Sequence, residues 1–174
     1  PSVIRTTVSL AQAMYGGTVE VEGITAQRCA NVKEAFKLLE EDIVPVLADP
    51  TMECLDEVAP VCLVDAIMAK RNLGTHIDDA PLVIALGPGF EAGVDCDLVI
   101  ETKRGHSLGR ILREGSAIPN TGIPGLVNGF GKERVLHSPK DGIFKSEYTI
   151  GALVHAGEVI ATVDGEPILA PIDG

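Results

Sequence analysis

The sequence predicts an α/β protein. A three-layer unit around a mainly parallel sheet is expected over residues 1–113, a Gly/Pro-rich connector over 114–137, and an all-β module over 138–174. Three observations carry this. Helical and strand patterns alternate along the first two-thirds, as they do where strands are joined by crossovers. Three short runs there, 61–67, 81–86 and 98–101, are continuously apolar, as strands buried on both faces are. After residue 137 only strand and turn signals remain. The 174 residues are 45% hydrophobic and 22% charged, enough apolar matter for a core and too much for disorder.

Each element has its own reason. Residues 7–15 predict a short helix stopped by Gly16-Gly17. Thr18 to Glu22 alternates strictly and predicts a strand. Gly23 turns it into a second strand over 24–29. Asn31 suits an N-cap, with Glu34 three residues on. Val32, Ala35, Phe36 and Leu39 then fall at helical spacing and predict an amphipathic helix. A strand is expected over 43–48, ended by Asp49-Pro50, and a weak helix over 52–58 before Pro60. The three apolar runs follow, and a helix of about eight residues is expected from Ser107.

The ends read as cut. Pro1 is not an initiator, and Ser138-Pro139-Lys140-Asp141-Gly142 is repeated 32 positions on by Ala170-Pro171-Ile172-Asp173-Gly174. The first copy leads into Ile143-Phe144, a strand start, so a further strand or two is expected after the second. A coincidental pair of Asp-Gly turns gives the same pattern.

The charge is 14 basic against 25 acidic residues, a formal −11 that repels nucleic acid and acidic membranes. Its distribution is uneven. Residues 1–69 carry −7, residues 114–174 carry −4, and residues 70–113 balance at zero. That middle segment pairs its cations as Lys70-Arg71 and Lys103-Arg104, followed by Arg110 and Arg113. Two readings stand: a site for a small anion, or a solvated surface with internal ion pairs. No apolar run approaches the roughly 18 residues of a membrane span. No secretory leader is visible, and the cysteines at 29, 54, 62 and 96 have neither zinc nor redox spacing, so a cytoplasmic location is expected. Cys29 and Cys62 read as buried hydrophobes, and Cys96, between Asp95 and Asp97, as a poor nucleophile. Aromatic residues are 3% and Trp is absent, which disfavours a stacking platform for single-stranded nucleic acid.

In an open, Rossmann-like sheet, ligands bind beyond the carboxyl ends of the strands. Three loops are expected there: 70–79 with Lys70, Arg71 and Asn72; 87–93 with Gly87, Gly89 and Gly93; and 102–106 with Lys103 and Arg104. Glycines would let backbone N–H groups approach a phosphate while the cations supply charge. Gly87-x-Gly89-x-x-x-Gly93 is not a dinucleotide fingerprint, because its spacing is off by one and Pro88 lacks a donor. His76 and His106 are acid–base candidates by type, with Asp79 beside the first, although a hydrogen-bonded loop histidine is the commoner outcome. No ligand spacing accompanies Asp78-Asp79, so no metal site is expected. Asn120 and Thr121, in Asn120-Thr121-Gly122-Ile123-Pro124-Gly125, would close over the site or form a rigid turn.

Residues 150–171, with a hairpin signal at Asp164-Gly165, resemble half of a biotinyl/lipoyl-type flattened barrel. That family attaches its prosthetic group to a Lys at a hairpin tip. The matching turn here, Asp164-Gly165-Glu166-Pro167, has none, so no lipoyl or biotinyl lysine is expected and a structural or docking module is the better reading.

Longer motifs point further. Val64-Asp65-Ala66-Ile67-Met68-Ala69-Lys70-Arg71-Asn72-Leu73-Gly74-Thr75, Asp79-Ala80-Pro81, Gly87-Pro88-Gly89-Phe90, the segment from Glu101 to Arg110, and Asn120 to Gly125 resemble the YqeB family of selenium-dependent molybdenum hydroxylase system proteins. The resemblance implies an accessory or maturation role for selenium-containing molybdenum hydroxylases. Family members carry a Gly-rich nucleotide-type turn ahead of this region that is absent here, and they continue beyond the second Asp-Gly motif. No catalytic residues come with the resemblance. Two functions follow: binding of a phosphate-bearing molecule of molybdopterin or nucleotide type, or noncatalytic docking on a molybdenum hydroxylase subunit. Self-association is also expected, through the apolar edge ending at Ala170-Pro171.

Overall fold

The computed structural model describes residues 9–149 and 151–174; the start of the helix expected over 7–15, and Ile150, lie outside them. The chain divides into two compact units, Pro1–Pro119 and Asn120–Gly174.

The first unit opens with a 3-10 turn, Leu10–Gln12, running into a one-turn helix α1, Ala13–Gly16. Strands β1 (Thr18–Val21) and β2 (Ile24–Cys29) form an antiparallel hairpin with Val21 opposite Ile24. Glu22 and Gly23 take φ of 52° and 81°, the two positive angles of a turn whose twist matches its strands. Helix α2 (Val32–Glu40) crosses over to β3 (Val44–Leu47), which lies parallel to β2. The expected cap is in place: Asn31 Oδ1 accepts the Glu34 N–H at 2.9 Å, and Glu34 Oε2 accepts the Ala30 N–H at 2.8 Å. Asn31→Ala is therefore expected to cost about 1 kcal/mol. Thermal unfolding should read this as a drop of about 2–4 °C. A second short helix, α3 (Leu55–Val58), is introduced by Asp49, whose carboxylate accepts the N–H groups of Glu53 and Cys54.

The three apolar runs become the parallel strands β4 (Leu63–Asp65), β5 (Val83–Leu86) and β7 (Leu98–Ile100). Strand β8 (Ile111–Leu112) adds antiparallel to β7, giving the order β4-β5-β7-β8. A small ladder of β6 (Glu91–Ala92) with β9 (Gly115–Ser116) lies beside this sheet in the chain. One sheet face packs the core, built from Val83, Ala85 and Val99 with Phe90, Ala92, Cys96 and Ala117.

Three expectations are corrected here. The strands of this unit form a three-stranded sheet, a four-stranded sheet and the small β6–β9 ladder in place of one sheet, and β3 pairs only with β2. The four-stranded sheet has no crossover helices, so the unit is mixed α/β with little helix and not a full three-layer stack. The residues explain this: in 66–82, Met68 and Lys70 take φ of 57° and 63°, and Asn72 folds its own loop, none of which a helix allows. The helix expected from Ser107 is also absent. The chain turns back on itself, with the Glu101 N–H on the Arg110 carbonyl and the Gly109 N–H on the Glu101 carbonyl. Gly105 and Gly109, at φ of 132° and 79°, make that reversal, and Leu108, 58% exposed, is not buried as the apolar face of a helix would be.

The second unit is an antiparallel sheet of β10 (Phe144–Lys145), β11 (Val159–Val163) and β12 (Glu166–Leu169) in that order. The hairpin at Asp164-Gly165 is tight, with φ of 46° and 83°. The first Asp-Gly repeat packs on this turn: Ile143 N–H donates to Asp164 Oδ1, and a Cβ on Gly142 would fall 2.5 Å from Asp164 Oδ2. The second repeat finds its own partner. Gly174 and Val154 exchange both backbone hydrogen bonds, and Asp173 Oδ1 accepts the Ala156 N–H. Among the described residues the sheet stays open and no barrel closes, which corrects the flattened half-barrel to a three-stranded sheet.

Candidate functional site

Because β4, β5 and β7 run parallel, the loops that follow them leave from one edge of the sheet. Two glycines show how closely these loops meet. A Cβ on Gly89 would lie 2.5 Å from both the N and the Cα of Arg71, so the turn after β5 presses its bare backbone on the backbone of the Lys70-Arg71 loop. A Cβ on Gly87 would lie 2.7 Å from Thr102 Oγ1, which brings the same turn against the loop after β7. The Gly87 N–H also donates to the Ile100 carbonyl at 2.9 Å. Lys70, Arg71, Gly87, Gly89, Lys103 and Arg104 thus share one rim. Gly93 belongs to a tighter turn behind it, where Asp95 Oδ2 accepts the Glu91 N–H and the Cys96 carbonyl accepts the Gly93 N–H.

Two carboxylates that sequence reasoning left inside strands hold this rim in shape. Asp65, buried at the end of β4, accepts the Ile67 N–H on Oδ1 at 3.0 Å and the Thr75 hydroxyl on Oδ2 at 2.7 Å. Glu101, only 3% exposed just past β7, accepts the Lys103 N–H on Oε1 and the Ile118 N–H on Oε2, both at 2.8 Å. The Ile118 N–H leads in holding its carboxyl below the ordinary range. The N–H groups of Lys103 and Thr102 and the Lys103 charge add to this, against the opposing effect of burial. The signal for both was present in the sequence: an acidic residue closing an otherwise apolar run.

The rim's chemistry follows from what is already bonded. Asn72 is spent on its own loop: Oδ1 accepts the N–H groups of Gly74 and Thr75, and Nδ2 donates to the Thr75 carbonyl. The N–H groups of Ile67, Gly74, Thr75, Gly87 and Lys103 are bonded within the protein, and Pro88 has none. The cationic side chains on this rim, those of Lys70, Arg71, Lys103 and Arg104, are exposed. Lys70 sits at φ 63° and Met68 at 57°, two left-handed non-glycine residues within three positions. Such strain costs about 1–3 kcal/mol per residue and persists where surrounding structure enforces it.

His76 is exposed, and its backbone N–H is held by Asp79 Oδ2 at 2.7 Å. His106 is exposed on the loop after β7. Asp79 lines a cavity of about 770 Å³ with Pro60, Asp78, Pro81 and Asp97, at the amino ends of the parallel strands and so across the sheet from the cationic rim. Asn120 and Thr121 belong to the second unit. Among the described residues no group of three or more His, Cys, Asp or Glu is arranged to hold a metal ion. No helix there is long and apolar enough to cross a membrane.

The thiols of Cys29, Cys54 and Cys96 are poor nucleophiles. Cys96 is fully buried and Cys29 nearly so, whereas Cys62 and Cys54 are half-buried. Burial, then Asp95, raises the Cys96 thiol. The Cys54 thiol is pushed up to about 11, first by its hydrogen bond to Asp49 and then by burial. Alkylation at pH 8 should accordingly leave Cys54 largely unlabelled, and Asp49→Asn should speed it.

No family model matches the chain, and no solved structure matches it. Over all 174 of its residues it is 50% identical to the uncharacterized protein YqeB of Escherichia coli (strain K12), of which it spans about a third, 32%. That identity extends over the whole length of the chain, and the chain belongs to the YqeB family.

Proposed function

We propose that the rim at the carboxyl ends of β4, β5 and β7 binds a phosphate-bearing small molecule of molybdopterin or nucleotide type. We further propose that the chain serves selenium-dependent molybdenum hydroxylases as part of an accessory or maturation factor. The observation that carries the binding reading is the wedge of Gly89 against the Lys70-Arg71 backbone, which draws separated cationic loops to one edge. The location agrees with where open α/β sheets take ligands. The accessory role rests on the motif resemblance and on membership of the family. Four cations in a protein of net charge −11 are a local exception that favours a compact anion over a polyanion.

A second reading, noncatalytic docking on an apo-hydroxylase, is favoured by the apolar surface of the second unit. Ile143, Phe144 and Leu153 there are 68%, 64% and 87% exposed. Native mass spectrometry of the protein purified from a selenium- and molybdate-fed host separates the two. A retained pterin or nucleotide is the expected result. A retained hydroxylase subunit without a small molecule supports docking.

A further inference from the structure

The two faces of the four-stranded sheet are both apolar, and among the described residues only one packs on the buried core. Side chains alternate across a sheet, so register assigns each residue to a face. Asp65, Ala85, Val99 and Leu112 form one cross-strand row with Leu63 and Val83 beyond it, and these meet the core. The opposite face has two rows, Val64-Ile84-Leu98 and Leu86-Ile100-Ile111. All six residues are aliphatic and none is fully buried; Val64 is 53% and Ile111 55% exposed, while Ile84, Leu86, Leu98 and Ile100 are half-buried. Within the strands no polar residue interrupts the patch, and Arg113, the residue after β8, borders it.

A sheet face meant for water alternates towards polar side chains, whereas parallel strands read as continuous apolar runs because helices cover both faces. Here the strands were written for two-sided burial, yet the links between β4, β5 and β7 contain no helix to supply the second layer. The E. coli relative carries about twice as much chain again outside the matched region, since 174 residues are 32% of it. We infer that the Val64/Ile84/Leu86/Leu98/Ile100/Ile111 face is an internal docking surface, covered by an amphipathic helical layer from the polypeptide that the longer family member carries outside this segment. Its contacts are apolar and span at least two cross-strand rows, which suits a helix laid along the strands with residues at i, i+3, i+4 and i+7. This inference stands apart from the ligand reading, which concerns the strand ends.

Thiol accessibility tests it. Ile84→Cys, at the centre of the face, and Ile111→Cys, at its tolerant edge, are made in the 174-residue chain. Cysteine is also placed at the aligned positions of full-length E. coli YqeB. Each is labelled with a maleimide under native conditions and mapped by peptide mass. In the 174-residue chain both positions should label within minutes at low protein concentration. In the full-length protein they should be slowed at least tenfold, and denaturant should release them. Equal labelling in the two proteins overturns the inference. Protection in the short chain that grows with its concentration, alongside a dimer in sedimentation, also overturns it, because a second copy is then the cover. The edge variant keeps the test decisive if the central one fails to fold.

Discussion

Gly89→Ala is expected to destabilise the protein by about 3 kcal/mol or more, the largest effect of any single methyl group in the first unit. Two costs combine. Gly89 holds φ at 112°, a conformation that L side chains rarely adopt. A Cβ there would also sit 2.5 Å from the Arg71 N and Cα, atoms that cannot move without shifting the whole Lys70-Arg71 loop. Gly74→Ala separates the two costs. Gly74 has φ 132° but nothing within 4 Å of its added Cβ, so it carries the conformational part alone, about 1 kcal/mol. Thermal unfolding should place Gly89→Ala about 6–12 °C below the parent and Gly74→Ala about 2–4 °C below. Equal shifts would mean that the two loops do not press together as described.

Glu101→Ala should cost about 3 kcal/mol through a different mechanism. It removes the carboxylate that satisfies the N–H groups of Lys103 and Ile118, leaving two donors without their acceptor. The same carboxylate gives stability a sign in pH. Its folded pKa lies below its ordinary 4.5, with the Ile118 N–H the chief cause, so the folded state favours the ionised form. That contribution is fully present above the unfolded value and is lost as pH falls through the folded one. Denaturant midpoints should therefore fall between about pH 5 and pH 3, and Glu101→Gln should flatten this limb while lowering stability at pH 7. A Glu101→Gln protein with the parent's acid limb would remove Glu101 from the account.

The strands were legible because both of their faces are apolar, which leaves a plain trace, an unbroken apolar run. Ile24–Cys29 and Val32–Glu40 were readable almost to the residue, since Gly23 and the Asn31 cap mark their starts. The loops that meet at the rim could be named because each begins where a run ends. Which strands pair was less legible. Nothing local to Ile43 or Val44 says that β3 stops the first sheet, since pairing depends on residues far along the chain. Ser107 misled because an N-cap residue predicts a helix only if an apolar face follows, and Leu108 is left in solvent. Glu101 and Asp65 escaped notice because a carboxylate at a strand end is usually solvated. Only the fold shows that each turns inward to tie a loop.

The central claim is that the rim holds a phosphate-bearing anion through Lys70, Arg71, Lys103 and Arg104. Isothermal titration with inorganic pyrophosphate and with adenosine diphosphate tests it most directly, on the parent and on the Lys103→Glu/Arg104→Glu double variant. These cations lie on an exposed loop, so the variant should stay folded, with a small loss of stability from the Lys103 charge beside Glu101. Each charge-assisted contact is worth about 1.5–3 kcal/mol, so the variant should bind at least about tenfold more weakly. Binding to the parent should also fall as salt rises. Undetectable binding of both probes to the parent, or affinities in parent and variant that agree within error, would contradict the claim.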